Sequence, residues 1–296
     1  MRRKGEFLTF DFLTFNILAR FVVGFFGLVT LLPFLLLLLN SLSSEHAVIM
    51  HGFSFVPQEF SLAAYRMIFN QPIKVINAYA ISIFVTTVGT ATSLFFSSMA
   101  AFVLNRKNVR YRNAIAFFIY FTTLFSGGLV PYYFLIVSYL KLKNTIAVLI
   151  LTQLFSVFYI LILRNFITHT IPESLVESAK IDGASDFRIF LTIVLPLIKP
   201  ALASIGLFIS LGYWNDWWSA MMFNEKENLQ PLQFMLYKMF WNISVLGQIT
   251  GVGYTNPPRE TFKLAMTVVA TGPVFLLYPF VQKYFVKGII LGAVKE

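Results

Sequence analysis

Residues 177–196 read ESAKIDGASDFRIFLTIVLP, a polar interlude between two apolar stretches. The chain is 57% hydrophobic and only 12% charged, yet Glu177, Lys180, Asp182, Asp186 and Arg188 all fall within these twenty residues. The pattern reads as helix, break, helix. Just upstream, Pro172-Glu173-Ser174 opens the first piece, with a proline and an acid where free N–H groups and the helix dipole favour them. Gly183 ends it, because a helix end often needs a left-handed residue and glycine adopts that conformation without strain. Ala179 is small and lets another surface approach closely. Ser185-Asp186 caps the next helix, and Pro196 and Pro200 punctuate its end. A charged helix outside lipid needs water or a protein partner. The bland alternative is a surface helix-turn-helix joining two membrane spans.

The flanking composition says where this interlude sits. A chain of 296 residues with so much apolar content is an all-α polytopic membrane protein. The net charge of +10 would suggest nucleic acid in a soluble domain; here the basic residues lie mostly beside apolar runs, so topology explains them and no nucleic-acid partner is expected. There is no cysteine, which excludes a disulfide, a thiolate nucleophile and a cysteine metal site. The basic N-terminus precedes an apolar run with no small-residue cleavage site after it, so the run is read as retained.

Six spans are expected, at 21–39, 76–104, 114–140, 145–163, 201–223 and 264–286. Residues 1–20 form an N-terminal segment with the composition of an interfacial helix; residues 21–296 form the membrane domain. Pro33 is a candidate kink in the first span. The second is rich in Ser, Thr, Gly and Ala, which suits close helix packing. The third is interrupted by Ser126-Gly127-Gly128-Leu129-Val130-Pro131, a break tolerated at depth only against protein or a watery cavity. His46 and His51, in the loop after the first span, lack a third partner for a metal. The N-terminus, the 105–113 loop, the 164–200 loop and the tail hold most of the 23 Lys and Arg. That bias places both termini and the 177–196 segment in the cytoplasm, and the 224–263 loop outside.

No G-x-x-x-x-G-K-[ST] occurs, so the chain does not cradle nucleotide phosphates by a P-loop. No Ser/His/Asp or H-E-x-x-H arrangement supports an enzyme. The second informative site is Tyr213-Trp214-Asn215-Asp216-Trp217-Trp218 in the fifth span. Asp216 is the only carboxylate inside an expected span and needs a partner or an aqueous path. On a continuous helix Tyr213, Asp216 and Trp217 share one face, and Trp214 and Trp218 another. Two roles are open for this cluster: aromatic faces beside amide and carboxylate groups suit sugars, and Trp and Tyr also gather at membrane interfaces. With Gly127 and Gly128 it makes a candidate substrate path. A proton-coupled secondary transporter using Asp216 is the alternative function.

The pattern E-x-A, three residues, G, nine residues, I-x-L-P resembles the EAA loop of ATP-binding-cassette (ABC) importer permeases, with Ser178 where alanine is usual. The resemblance implies that Glu177, Ser178, Ala179, Asp182, Gly183, Ile193, Leu195 and Pro196 form a coupling helix that docks into an ATPase subunit. The segment 126–132, SGGLVPY, is similar to the SGGLIP segment of one carbohydrate-permease branch, and Pro273, residues 278–288 and Gly292-Ala293-Val294-Lys295 resemble its last span and tail. Glu296 replaces the usual final glycine. Together these imply a type I ABC importer permease fold: the second, maltose-type permease of a binding-protein-dependent oligosaccharide importer in a bacterial cytoplasmic membrane, of a branch that includes uronate-containing glycans. Its implied partners are a homologous permease, two ATPase subunits that bind ATP and Mg, and an extracytoplasmic solute-binding protein. No cofactor is expected in this chain itself.

Overall fold

A computed structural model describes residues 4–249 and 258–275. Among them the structure is helical, with one isolated bridge pairing Ser43 and Phe60. The chain divides into two units, residues 1–70 with 239–272, and residues 71–238 with 273–296.

The first unit begins with α1 (Lys4–Ser41). It is one helix from end to end, with its apolar stretch beginning at Phe15 instead of residue 21; Pro33 sits inside without ending the helix. Its apolar length from Phe15 to Ser41 crosses a bilayer easily, and Phe21 to Phe34 is exposed within this chain, a face for lipid or another protein. Asn40, almost fully buried, pins the connection that follows: its amide donates to Leu36 O and Ser54 O and accepts from Ser54 N. Two short helices, α2 (Glu45–His51) and α3 (Ala63–Ile68), fold back here. Glu45 fastens α2 to the start of the helix at 260–275: its carboxylate accepts from the backbone N–H groups of Arg259, Glu260 and Thr261 and from the Thr261 hydroxyl. A carboxylate suits that position because a helix N-terminus presents unpaired N–H groups.

The second unit is built around α4 (Pro72–Asn105), 34 residues and about 51 Å long at 1.5 Å per residue. α8 (Val157–Thr170) and α12 (Lys199–Trp214) pack along it. Small residues set that approach. Gly89 seats the Tyr213 ring, and a Cβ there would lie 2.6 Å from it; Gly206 seats Leu94 in the same way, at 3.0 Å. The expected small-residue character of this helix is thus used for close packing.

Three of the expected spans are interrupted. The third is α5 (Arg112–Leu124), a break, then α6 (Leu129–Phe134) with a π-helical turn at Leu135–Tyr139; the halves bend by 117°. The fourth, expected as continuous, is α7 (Ile146–Leu151), a break at 152–156, and α8. The break has no Gly or Pro to announce it, and distant side chains stabilise it. Tyr213 donates to Ile150 O, Ser93 to Leu154 O, and the Thr152 and Ser219 hydroxyls bond each other. The fifth ends early: α12 stops at Trp214 and α13 (Trp218–Phe223) follows a turn. The 177–196 segment comprises α9 (Glu173–Ile181) and α10 (Asp186–Ile189), which runs through a π-helical turn at Phe190–Val194 into α11 (Leu195–Leu197), bent 82° from α12.

The 224–263 stretch, expected as a long loop, contains an eighteen-residue helix, α14 (Leu232–Ile249). The sixth expected span is helical through 275, as α15 (260–275). Its remainder, residues 278–288, the tail and Glu296 lie outside the described residues. Among the described residues, two helices pass for membrane spans by length and apolar content, or up to four counting each bent pair as one.

Candidate functional site

The elbow between α9 and α10 closes its own hydrogen bonds. Asp182 N donates to Ser178 O, Gly183 N to Lys180 O at 3.0 Å, and Ala184 N back to Ala179 O at 2.9 Å. This is the Schellman arrangement, and it needs the left-handed residue that Gly183 supplies at φ +80°. The motif's usual apolar contact pairs Ala179 with Ala184, both half-buried against the core. Ser185 then caps α10, its Oγ accepting from Arg188 N. Pro172 serves α9 as the residue before its first turn, and Glu173 as the acid within it.

The elbow is anchored to the C-terminal end of α4. Phe190, 1% exposed, stacks on Phe102 and meets Phe95 edge-on. Lys107 pairs with Glu173, and Asp186 lies 3.6 Å from Arg106 and 3.2 Å from Lys180. Thr168 donates to the Asn105 amide oxygen. With one side so held, the other faces outward. Val176 is buried and Lys180 half-buried, while Leu175, Glu177, Ser178, Ile181, Asp182, Gly183 and Phe187 are exposed. Ile181 is 86% exposed, an extreme value for an aliphatic side chain on a polar segment. Nothing lies within 4 Å of a Cβ built on Gly183, and Glu177 joins none of the ion pairs among the described residues.

The eight EAA-like residues therefore separate into two groups. Glu177, Ser178, Asp182 and Gly183 stand on the open surface. Ala179, Ile193 and Leu195 pack against the chain's own core, and Pro196 is exposed at the far end of the elbow. The surface that Ala179 lets approach is its own protein's. Leu175, Ile181 and Phe187 belong with the open group and were not singled out from the sequence. Their apolar character among charges was the available signal.

The aromatic cluster departs from the expected faces because the helix ends inside it. Tyr213 and Trp214 are buried at 3% and 5% exposure; Tyr213 holds Gly89 and Ile150 O, so it is a packing residue. Asn215 terminates α12, its backbone N–H donating to Leu211 O. Asp216 caps the next turn, accepting from Ser219 N at 3.0 Å. Its charge thus has a backbone partner at a helix start, where the dipole favours an anion. Trp217 stacks on Tyr237 at 4.6 Å and meets Trp218 edge-on at 5.8 Å; Trp218 stays exposed. Gly127 and Gly128 line a separate concavity of about 530 Å³ with Ser126, Leu129, Pro131, Tyr132 and Leu135, and Gly128, at φ +85°, starts α6. Tyr132 and Tyr133 both pack on Phe223, which ties this break to the end of α13.

Beyond α13 two ion pairs strap the chain down: Lys143 to Glu225 and Lys74 to Glu227, each at 2.7 Å. The hydrogen bond from Lys143, then its charge, holds the Glu225 carboxyl below its ordinary range; Lys74 does the same for Glu227. Among the described residues no cluster of three or more His, Asp or Glu is placed to hold a metal ion, and His46 and His51 lie together in α2.

Over residues 8–291 the sequence matches a family described as "Binding-protein-dependent transport system inner membrane component". It is 41% identical over 288 residues to the polygalacturonan/rhamnogalacturonan transport system permease protein YtcP of Bacillus subtilis (strain 168), covering 97% of this chain and 98% of that protein. Protein LplC of the same organism is 37% identical over 286 residues, covering 95% of each. In three dimensions the chain is similar to one in the crystal structure of a bacterial ABC transporter involved in the import of the acidic polysaccharide alginate. The TM-score is 0.74 at 32% identity, with 92% of this chain and 96% of that chain covered.

Proposed function

The chain belongs to the family of binding-protein-dependent transport system inner membrane components, the permease subunits of ABC importers, and we propose that it forms half of the translocation path of an importer for acidic oligosaccharides. Such a permease works with an ATPase, a solute-binding protein and a second permease. The assembly proposed here has one homologous permease and two ATPase subunits, with both termini and the elbow in the cytoplasm. The distribution of basic residues supports that orientation. Proton-driven transport through Asp216 is not supported. The family depends on a binding protein, and the carboxylate serves as a helix cap.

The observation that carries the coupling role is the outward face of α9. Ile181 stands almost wholly exposed beside Glu177, Ser178, Asp182 and Gly183, on an elbow whose other side is fixed to α4. These residues dock the ATPase, with Leu175 and Phe187 at the edges. Ala179, Ile193, Leu195 and Pro196 hold the elbow's shape. When ATP draws two ATPase subunits together, the elbow moves with its partner. The ends of α4 and α10 follow through their ion pairs and the Phe190–Phe102 stack. Sugar delivered from the outer side passes the broken helices. Trp217, Trp218 and Asn215 offer ring faces and an amide there, and the Gly127-Gly128 break leaves room. Tyr213, Trp214 and Asp216 hold that turn in place.

Acidic sugar is proposed because YtcP is named for polygalacturonan and rhamnogalacturonan, and the solved transporter for alginate. The test is ATP hydrolysis by the purified complex with its binding protein, challenged with oligogalacturonates and with neutral oligosaccharides of equal length. Stimulation by the acidic series alone is expected. Equal or greater stimulation by the neutral series overturns the substrate class, and a complex without ATPase activity overturns the coupling role.

A further inference from the structure

At the coupling-loop end of α4 lies a cavity of about 260 Å³ between that helix and the turn from α8 to α9. Its walls divide by chemistry. Phe102, Ile167, Ile171 and Val176 are buried apolar side chains; Asn105, Arg106, Lys107, Thr168 and Glu173 form the polar side. Its level is fixed by the helices it joins: the candidate span Pro72–Asn105 and the apolar helix Val157–Thr170 both end here. An amphiphilic cavity at the ends of two apolar helices is where a lipid headgroup meets its acyl chains.

Arg106 is the feature that calls for a ligand. Its side chain is 13% exposed, with the guanidinium carbon 5.7 Å from the Phe102 ring centroid. Asp186, at 3.6 Å, is beyond hydrogen-bond length and is nearer to Lys180, at 3.2 Å. The Arg106 Nε–H is buried and has no acceptor. Buried donors are rarely left so, and a charged one least of all. Glu173, the acid on the cavity wall, already faces Lys107. Arginine's planar fork suits a phosphate, which two of its N–H groups can meet at once. The run that follows adds Lys107, Arg110 and Arg112 and no acid, so the local field attracts anions.

We propose that this cavity binds a phosphate group presented by an acidic membrane lipid, with Arg106 as its main ligand, and that the bound headgroup braces the α8–α9 turn against which the elbow moves. The proposal rests on the orientation given above, which puts the site in the anionic cytoplasmic leaflet. The consequence is an importer whose coupling depends on acidic lipid.

The experiment uses the whole complex in nanodiscs of phosphatidylcholine, with and without phosphatidylglycerol. It reads both retained lipid, by native mass spectrometry, and substrate-stimulated ATP hydrolysis. Wild type is expected to retain phosphatidylglycerol and to gain stimulation several-fold from it; Asp186→Asn, which keeps the guanidinium but gives up the ion pair to α10, is expected to retain the lipid. Arg106→Gln is expected to do neither. An Arg106→Gln complex that retains the lipid and responds like wild type overturns the proposal. Inorganic phosphate that replaces phosphatidylglycerol in the neutral discs overturns the lipid as the source of the phosphate. Should Arg106→Gln fail to assemble, a photoactivatable phosphatidylglycerol decides on wild type: cross-links to residues 102–107 or 167–176 support the site, and cross-links confined elsewhere overturn it. A complex inactive in both lipids breaks the ATPase reading, while lipid retention by wild type and its loss from Arg106→Gln still decide this one.

Discussion

Two interruptions of helical backbone in the second unit are satisfied in opposite ways. At the elbow, Gly183 N and Ala184 N return to Lys180 O and Ala179 O, so the break closes within a few residues of sequence. At 152–156 the accounting reaches across the fold: Ile150 O receives the Tyr213 hydroxyl and Leu154 O the Ser93 hydroxyl, more than sixty positions away in each case. The first break stands outside the apolar spans and is written in a glycine, a serine cap and a proline. The second lies among apolar helices, and other helices supply donors to two of its carbonyls. A locally closed break is free to present a surface to another protein; a remotely closed one is part of the core.

The contrast sets the order of the expected effects. Gly183→Asp should be the most damaging to function. It forces a Cβ into the left-handed region, at about 1–2 kcal/mol, and adds a charge at the proposed docking surface. Stimulated ATPase activity should fall on the order of tenfold or more, equivalent to about 1.4 kcal/mol of lost coupling, chiefly through the added charge. Gly183→Ala shares the strain without the charge, and since no atom lies near the added Cβ it should keep much of the activity. Equal losses in the two variants would mean that shape alone matters there.

Tyr213→Phe is expected to act on stability instead. The ring stays on Gly89, but Ile150 O loses its donor, at about 1–3 kcal/mol. The unfolding midpoint of the detergent-purified complex should drop while stimulation per assembled complex holds. Uncoupling without a fall in midpoint would move Tyr213 into the transport path.

The smallest effect belongs to the exposed Lys143–Glu225 strap. The Glu225 carboxyl is held below the ordinary carboxylate range, so the pair's contribution is whole above that range and fades as pH falls through the lowered value. Lys143→Gln should flatten that part of the acid sensitivity of the thermal midpoint and leave it near wild type at neutral pH, where an exposed pair adds little. A large loss at neutral pH would mark the strap as more than a surface contact.

The same contrast explains what the sequence could tell. The elbow was legible because each of its parts is a local rule: Gly183 for positive φ, Ser185 for a cap, and Pro196 where the helix is about to turn. The break at Gly127-Gly128 was legible for the same reason, and so was the close packing on Gly89. The break at 152–156 was not, since Thr152, Gln153, Leu154, Phe155 and Ser156 contain no breaker. Nor was the end of α12 at Trp214, where a run of aromatics reads as continuing helix until Asp216 is seen to cap the next turn. α14 was hidden because a mixed polar and apolar stretch between two spans reads as loop. Of the candidate site, the types and spacing of the motif residues were visible, but not which of them point outward. Burial decides that, and it turned Ala179, Ile193 and Leu195 inward and left Ile181 exposed.

The docking claim can be tested at one side chain. The chain has no cysteine, so Ile181→Cys introduces a unique thiol on the elbow, and Ile73→Cys, at an equally exposed position at the start of α4, serves as its counterpart. Each is labelled with a short photoactivatable cross-linker in the assembled complex and irradiated with and without ATP. The account predicts that Ile181→Cys captures the ATPase subunit, with a yield that changes when ATP is added, and that Ile73→Cys captures none. Capture of the ATPase from Ile73→Cys, or none from Ile181→Cys in a complex that still hydrolyses ATP, would contradict it.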